Sequence, residues 1–355
     1  MPLVVGSIAA AGLAPAGVLF GFGALLVTSG LFYGLPMAVQ PMKAIAALLA
    51  TGHLGPGEMA AAGLIVGAVL TLLALTGTIE RLARFIPWSV NAGLQLGLGL
   101  SLAVLGLRLA MAAPWLGAAT GAGLLLLLAF RIGAAAPLIV LAATVVGDRA
   151  GLTGWPGDLS PAFTLPPLIL PSWDELWHGF HRAVLPQLPL TLTNAVIVTA
   201  ALTRSLYPGR AARASERNLA LSTGLGNLLL APLGAMPMCH GAGGVQAHYR
   251  FGARTALAPV ALGLFLLGLS LGFADGSAAL LAAIPAAAVG AMLAVAGGDL
   301  AISRRLFDAR PSCWPVIGAT AVATLLGDPA IGLAAGLAAE GLRSLAMRAL
   351  ARRAS

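Results

Sequence analysis

The chain predicts an all-α polytopic membrane protein, and three observations carry that reading. Apolar residues make up 59% of the 355 and charged residues 9%, with a mean hydropathy of +0.94, whereas a soluble domain is roughly 25% charged. Apolar runs close to the length of about 20 residues that crosses a bilayer recur along the chain, with room for about a dozen helices and no separate soluble domain. Two runs are broken by proline at corresponding places, GLPMAVQPMKA at 34–44 and GAMPMCHGAGGV at 234–245. In lipid, non-helical backbone survives only where it lines a cavity, because each unsatisfied N–H or C=O costs several kcal/mol. Matching interruptions in two halves therefore point to a midplane site built from half-helix ends.

The N-terminal run MPLVVGSIAAAGLAPAG has no basic leader and no cleavage site. It reads as an incomplete first span of about 12 apolar residues and not as a signal peptide. Further spans are expected near 57–77, 86–107, 114–130, 133–147, 183–203, 217–235, 238–249, 255–273, 277–297, 312–327 and 329–347. Lys43 is the single lysine among 20 basic residues, and the arginines fall on alternate connections. One side holds sixteen, from Arg81 to Arg353, and the other holds Arg108, Arg149 and Arg182. By the positive-inside rule the richer side and the C-terminus are cytoplasmic, and the expected location is a cell membrane, the inner membrane in a bacterium. The connection 148–182 is then external, with Trp155, Trp173 and Trp177 suited to a membrane surface.

A formal charge of +8 does not indicate nucleic acid, because the charges stand singly between apolar runs and form no basic face. Cys239 and Cys313 offer neither a disulfide framework nor a metal-ligand spacing, so no metal and no cofactor is expected. Residues 1–150 and 183–350 each contain a helix, a Pro-Met break and several further spans, with the segment 151–182 between them and a cytoplasmic tail at 351–355. They read as two membrane repeats. An odd number of spans per half would invert one repeat against the other, so that the two short helices after the breaks point their N-terminal ends at one another.

Each half-helix N-terminus presents unpaired N–H groups and roughly +0.5 of an elementary charge, and two of them converging on one point form an anion site. Lys43, after Gln40 and Pro41, adds a full charge, for a sum of about +2 that suits a dianion. The alternative for Lys43 is to snorkel to the nearer surface or pair with a helix-end carbonyl. At the second break Cys239, His240, Gly241, Ala242, Gly243 and Gly244 line the same site, with His240 donating to an oxyanion or sensing pH. A Cys-His nucleophile is the competing reading, with no carboxylate to orient it. GAGG lacks the Lys-Ser/Thr and the preceding strand of a phosphate loop. Gln187, Thr191 and Asn194 fall at i, i+4 and i+7 of one helical stripe, either to bond tetrahedral oxygens or to join two helices. Asn91, Gln95 and Asn227 read as packing or supporting residues.

The stretches GLPMAVQPMKAIAA (34–47), LPQLPLTLTNAVIV (185–198) and PMCHGAGGVQAHYRFGART (237–255) resemble the signature stretches of the molybdate transporter family, relatives of the sulfate permeases. The tail 311–346 resembles the last two sulfate permease spans. The resemblance implies two inverted seven-helix repeats divided into core and gate domains, with the anion between broken third and tenth helices and the first helix truncated here. It assigns Gln40 and Lys43 to the third helix, Gln187 and Asn194 to the eighth, and Cys239, His240 and Gly241 to the tenth. The implied activity is secondary active import of molybdate by alternating access, with sulfate transport or an anion channel as alternatives. No enzyme activity is implied. The expected partners are the oxyanion, the lipid bilayer and, as an open option, a second copy of the chain in a homodimer.

Overall fold

The computed structural model describes residues 4–354 apart from 5–6, 9–10, 51–52, 80, 82–85, 131, 133–134, 156–159, 162, 303–305, 307–309 and 328. The expected incomplete first span, and Arg84, Arg131, Arg304 and Arg305, lie wholly or largely outside the described residues.

Helix α1 (Pro15–Tyr33) begins on a proline and stops at Gly34, whose φ of 64° is the left-handed cap that glycine adopts without a Cβ penalty. The chain runs extended to β1 (Gln40–Pro41) and restarts as the short α2 (Lys43–Ala50). Helices α3 (Pro56–Leu75), α4 (Trp88–Ala110), α5 (Pro114–Ala129) and α6 (Ala136–Arg149) complete the first half. Prolines sit in the first turns of α1, α3, α5 and α6, where a missing N–H leaves no helical bond unmade.

The second half opens with one continuous helical run: α7 (Trp173–Gly179), a π-helical Phe180–Val184, α8 (Leu185–Leu190), a longer π-helical Thr191–Val198 and α9 (Thr199–Leu206). Helix α10 (Glu216–Leu230) passes into a 3₁₀ turn that ends at Gly234, with φ 73°. Then come β2 (Met238–Cys239), the short α11 (Ala242–Arg250), α12 (Leu257–Gly272), α13 (Ala274–Ala282), α14 (Ala286–Ala301), α15 (Trp314–Leu326) and α16 (Pro329–Ala354). Helices α1, α3 and α4 are long and apolar enough to cross a bilayer unaided. The large apolar side chains left outside, such as Leu72, Leu107, Leu126 and Leu326, suit a surface that faces lipid.

Three expected boundaries move. The run placed at 183–203 begins at Trp173, inside the segment assigned to the external connection. Ser172 explains this: its Oγ accepts from the Glu175 N–H at 3.3 Å while its own N–H donates to Glu175 Oε2 at 2.7 Å, a complete capping box. The span placed at 277–297 is two helices, α13 and α14, separated at Ile284–Pro285. The span placed at 238–249 is helical only from Ala242, because the residues before it are extended.

Two groups of helices pack internally: α1–α3 with the 173–206 run and α10–α12, and α4–α6 with α14–α16. Small residues let the backbones approach, as lipid-embedded helices require. Gly23 of α1 lies against Gly263 of α12, Gly67 of α3 against Gly224 of α10, and Gly106 of α4 against Gly290 of α14. The arginine-rich connections gather at one end. There Arg213 donates to Phe32 O at the end of α1 (2.8 Å), Arg217 to Ala74 O at the end of α3 (3.1 Å), and Arg204 pairs with Glu216. Arg182 and His178 lie 3.9 Å from Glu58 at the start of α3, the opposite end. The 148–182 connection belongs to that end too, through Ile169 N–H to Pro232 O at 2.7 Å.

Candidate substrate site at the paired breaks

The two broken segments meet directly. β1 and β2 pair antiparallel, with Gln40 opposite Cys239 and Pro41 opposite Met238, and the Met42 N–H donates to Pro237 O at 2.9 Å. Each strand leads within a few residues into a short helix. The first bonds of these helices run from Ala46 N–H to Met42 O and from Val245 N–H to Gly241 O. The amides of Lys43, Ala44 and Ile45, and of Ala242, Gly243 and Gly244, therefore have no partner within their own helix. Because antiparallel strands feed them, both N-terminal ends sit beside the same four-residue ladder, which concentrates positive potential there.

Lys43 stands at the start of α2. Its side chain is exposed, unlike those of its neighbours Met42 and Ile45. Gln40 is half-buried, faces Cys239 across the ladder and lies across Gly241, where a Cβ would overlap its amide. At Gly243 an added Cβ would meet Leu102 of α4, and at Gly244 it would meet Ala38. These glycines thus admit close packing from both helix groups while leaving the helix N-terminus bare of side chains.

Several residues expected at the site are bonded to the surrounding scaffold. Gln187 is 2% exposed; its Oε1 accepts from the Ala44 N–H at 2.8 Å and its Nε2 donates to Thr191 Oγ1 at 2.9 Å. It caps the first half-helix from the neighbouring helical run, and Thr191 holds it in that pose. His240 is fully buried, with Nε2 2.9 Å from Ser222 Oγ and Nδ1 3.0 Å from Ala38 O. Ser222 in turn bonds Tyr33 at 2.7 Å. Both ring nitrogens of His240 thus have partners within the protein. Asn194 falls in the π-helical stretch, so the expected i, i+4, i+7 stripe with Gln187 and Thr191 does not continue; the wider turn changes which face it occupies. It is buried, with Oδ1 lacking a partner among the described residues.

Of the residues expected to pack or support, Asn227 has a definite task. It brackets Met238, accepting from its N–H at 2.8 Å and donating to its C=O at 2.7 Å, and so supplies the hydrogen bonds the broken backbone lacks. The signal for that task is its place, an amide in an apolar helix ten residues before a proline break. Tyr33 and Ser222, which tether His240, escape the sequence reading; neither stands within a break.

Over residues 1–102 and 179–300 the sequence matches the family described as "Molybdate transporter of MFS superfamily". Molybdate transporter 2 of Arabidopsis thaliana is 30% identical over 369 aligned positions, 88% of this chain and 77% of the relative. Molybdate transporter 1 of the same plant is 28% identical over 87% and 77%. Molybdate transporter 1 of Chlamydomonas reinhardtii is 41% identical over 53% of this chain and 37% of its own length. The fold is similar to the transmembrane domain of the cyanobacterial bicarbonate transporter BicA, with TM-score 0.58, 18% identity and coverage of 94% and 96%. It is also similar to solute carrier 26 family member A9, with TM-score 0.63, 13% identity and coverage of 98% of this chain and 65% of that one. Matched over most of its length by named molybdate transporters, and folded as a polytopic membrane protein of that type, the chain belongs to the molybdate transporter family.

Proposed function

We propose that this chain is a secondary active importer of molybdate, holding the dianion between the N-terminal ends of α2 and α11 with Lys43 as its counter-charge. The observation that carries the reading is the β1–β2 pair, which brings two helix starts and the one lysine of the chain close together. A tetrahedral oxyanion there accepts from the amides of Ala242, Gly243 and Gly244 and from the Lys43 ammonium. Gln40 and Pro41 shape the near wall, Asn194 lies behind it, and Cys239 and Gly241 form the floor. We assign the α1–α3 and α10–α12 group, with the 173–206 run, as a core domain that shifts against a gate domain of α4–α6 and α14–α16. Residues 1–150 and 183–350 are then inverted repeats joined by 151–182, and the arginine-rich end, the tail 351–355 and the C-terminus face the cytoplasm of a bacterial cell.

The test is molybdate uptake into proteoliposomes with excess sulfate as competitor and with counterflow. Saturable uptake that accelerates against internal molybdate and resists sulfate is the expected result. Equal suppression by sulfate would make this a general oxyanion carrier, and uptake without saturation or counterflow would make it a channel. Homodimerisation is checked by the mass of the detergent-solubilised protein.

A further inference from the structure

Helix α4 packs on three sides. Gly93 and Gly97 lie against Thr320 and Thr324 of α15, and Gly99 and Gly106 against Ala301 and Ala294 of α14. The third side meets the other helix group: Leu94 and Leu98 cluster with Val198, Leu202 and Ala242, and Leu102 stands where a Cβ on Gly243 would point. At about 100° per residue, Asn91 and Gln95 each fall about 20° from Leu102, so both amides belong to that third side. Gln95 is 1% exposed, and neither its Nε2 nor the Oδ1 of half-buried Asn91 has a partner among the described residues. A buried polar group left unpaired is uncommon and calls for a reason beyond packing. Their height along the helix supplies one. Helix α4 starts at the arginine-rich end, where Ser89 donates to Glu340, the partner of Arg343. At 1.5 Å per residue, Gln95 lies about 10 Å and Asn91 about 16 Å from Leu102 toward that end. Both amides therefore stand between the paired breaks and the arginine-rich end, on a route that Leu94, Leu98 and Leu202 close here.

We propose that Gln95, assisted by Asn91, is a second oxyanion station, met by an anion that has left the starts of α2 and α11 on its way to the arginine-rich end. This rests on the importer reading above. An amide NH₂ donates to an oxyanion without bringing a charge, so the station passes the ion on where a full cation would hold it. A half-turn of either amide exchanges its oxygen and nitrogen, so both side chains can present donors. With the two helix groups closed, these donors are shut away from any partner. When the groups part, the oxyanion supplies the hydrogen bonds that the closed arrangement withholds, and its binding there shifts the pair of arrangements toward the open one.

The experiment measures three quantities on the whole chain and its variants: the maximal rate of molybdate uptake into proteoliposomes, equilibrium binding of radiolabelled molybdate, and the thermal unfolding midpoint. Gln95→Met keeps the shape and removes the donors. It should lower the maximal rate about tenfold while affinity stays within about twofold. Its midpoint should be unchanged or higher, because the closed arrangement loses no hydrogen bond. Gln95→Glu, an isostere that repels the anion, should lower the rate further, and Asn91→Leu should lower it less. Thr120→Val, which removes another buried unpartnered group on α5, should keep the wild-type rate. Uptake by Gln95→Met at the wild-type rate overturns the proposal. A lower midpoint in Gln95→Met also overturns it, since the amide would then be bonding within the protein, to Asn91 one turn away or elsewhere. Absence of saturable uptake by the wild-type chain would overturn the importer reading, and this proposal with it.

Discussion

At the first break the residues after the extended segment keep contact with open space, Lys43 most of all and Gln40 and Pro41 in part. At the second break the equivalent residues are sealed: Cys239 is 4% exposed and His240 fully buried. The first break is held from outside at Ala44, whose N–H donates to Gln187, and at Pro36 and Ala38, whose carbonyls accept from His248 and His240. The second is bracketed at Met238 by Asn227 and tied through His240 to Ser222, Tyr33 and Ala38. Two segments in corresponding positions have thus divided the work. One carries the charge and the exposed surface, and the other is fixed in place by its own hydrogen bonds.

The largest expected effect removes the charge of the first break. Lys43→Gln should weaken molybdate binding more than tenfold, about 1.4 kcal/mol or more, with little change in thermal stability, whereas Arg310→Gln, exposed and distant, should change neither. Equilibrium binding of radiolabelled molybdate decides this, and equal losses in both would make Lys43 a structural residue. The opposite profile is expected at the second break. Asn227→Ala strands the Met238 N–H and C=O and should cost about 1–3 kcal/mol of stability, read as a lower unfolding midpoint, with a smaller effect on affinity than Lys43→Gln. A loss of affinity without loss of stability would erase the contrast between the breaks.

The remaining predictions sharpen it. Ser222→Ala and His240→Gln should be non-additive in a double-mutant cycle by about 0.5–3 kcal/mol, since they share one hydrogen bond; additive effects would mean that His240 acts elsewhere. The smallest change concerns Gln187. Gln187→Ala uncaps Ala44 and should reduce stability by about 1 kcal/mol, while Gln187→Glu keeps an acceptor for that N–H but brings a carboxylate to the anion site. Weaker molybdate binding in Gln187→Glu than in Gln187→Ala is the expected order. The reverse order would show that capping, and not local potential, controls affinity there.

Much of the fold is legible in the order of the amino acids. Hydropathy and proline locate both breaks, Gly34 and Gly234 mark where the preceding helices stop, and the alternation of arginines agrees with the end at which Arg204, Arg213 and Arg217 lie. The residues whose roles differ from expectation share a cause. His240 and Gln187 look like ligands because they are polar and near a break, yet a broken backbone in an apolar interior needs polar side chains for its own unpaired groups first. The capping box at Ser172 and Glu175 is written in the sequence, but the prolines that precede it draw the eye to a loop. The π-helical Thr191–Val198 has no comparable local signal, because its wider turn depends on what packs around it.

The sequence by itself determined that the chain is helical and membrane-embedded, where its helices break and which residue brings a full charge to the break. Those are consequences of composition, periodicity and backbone chemistry, each local to a few residues. Only the tertiary structure decided that Gln40 faces Cys239 across a two-residue ladder, that Asn227 rather than a ligand satisfies Met238, and that Lys43 borders open space while His240 does not. A hydrogen-bonding side chain has many possible partners, and the choice among them is made by residues far away in the chain that folding brings within about 3 Å.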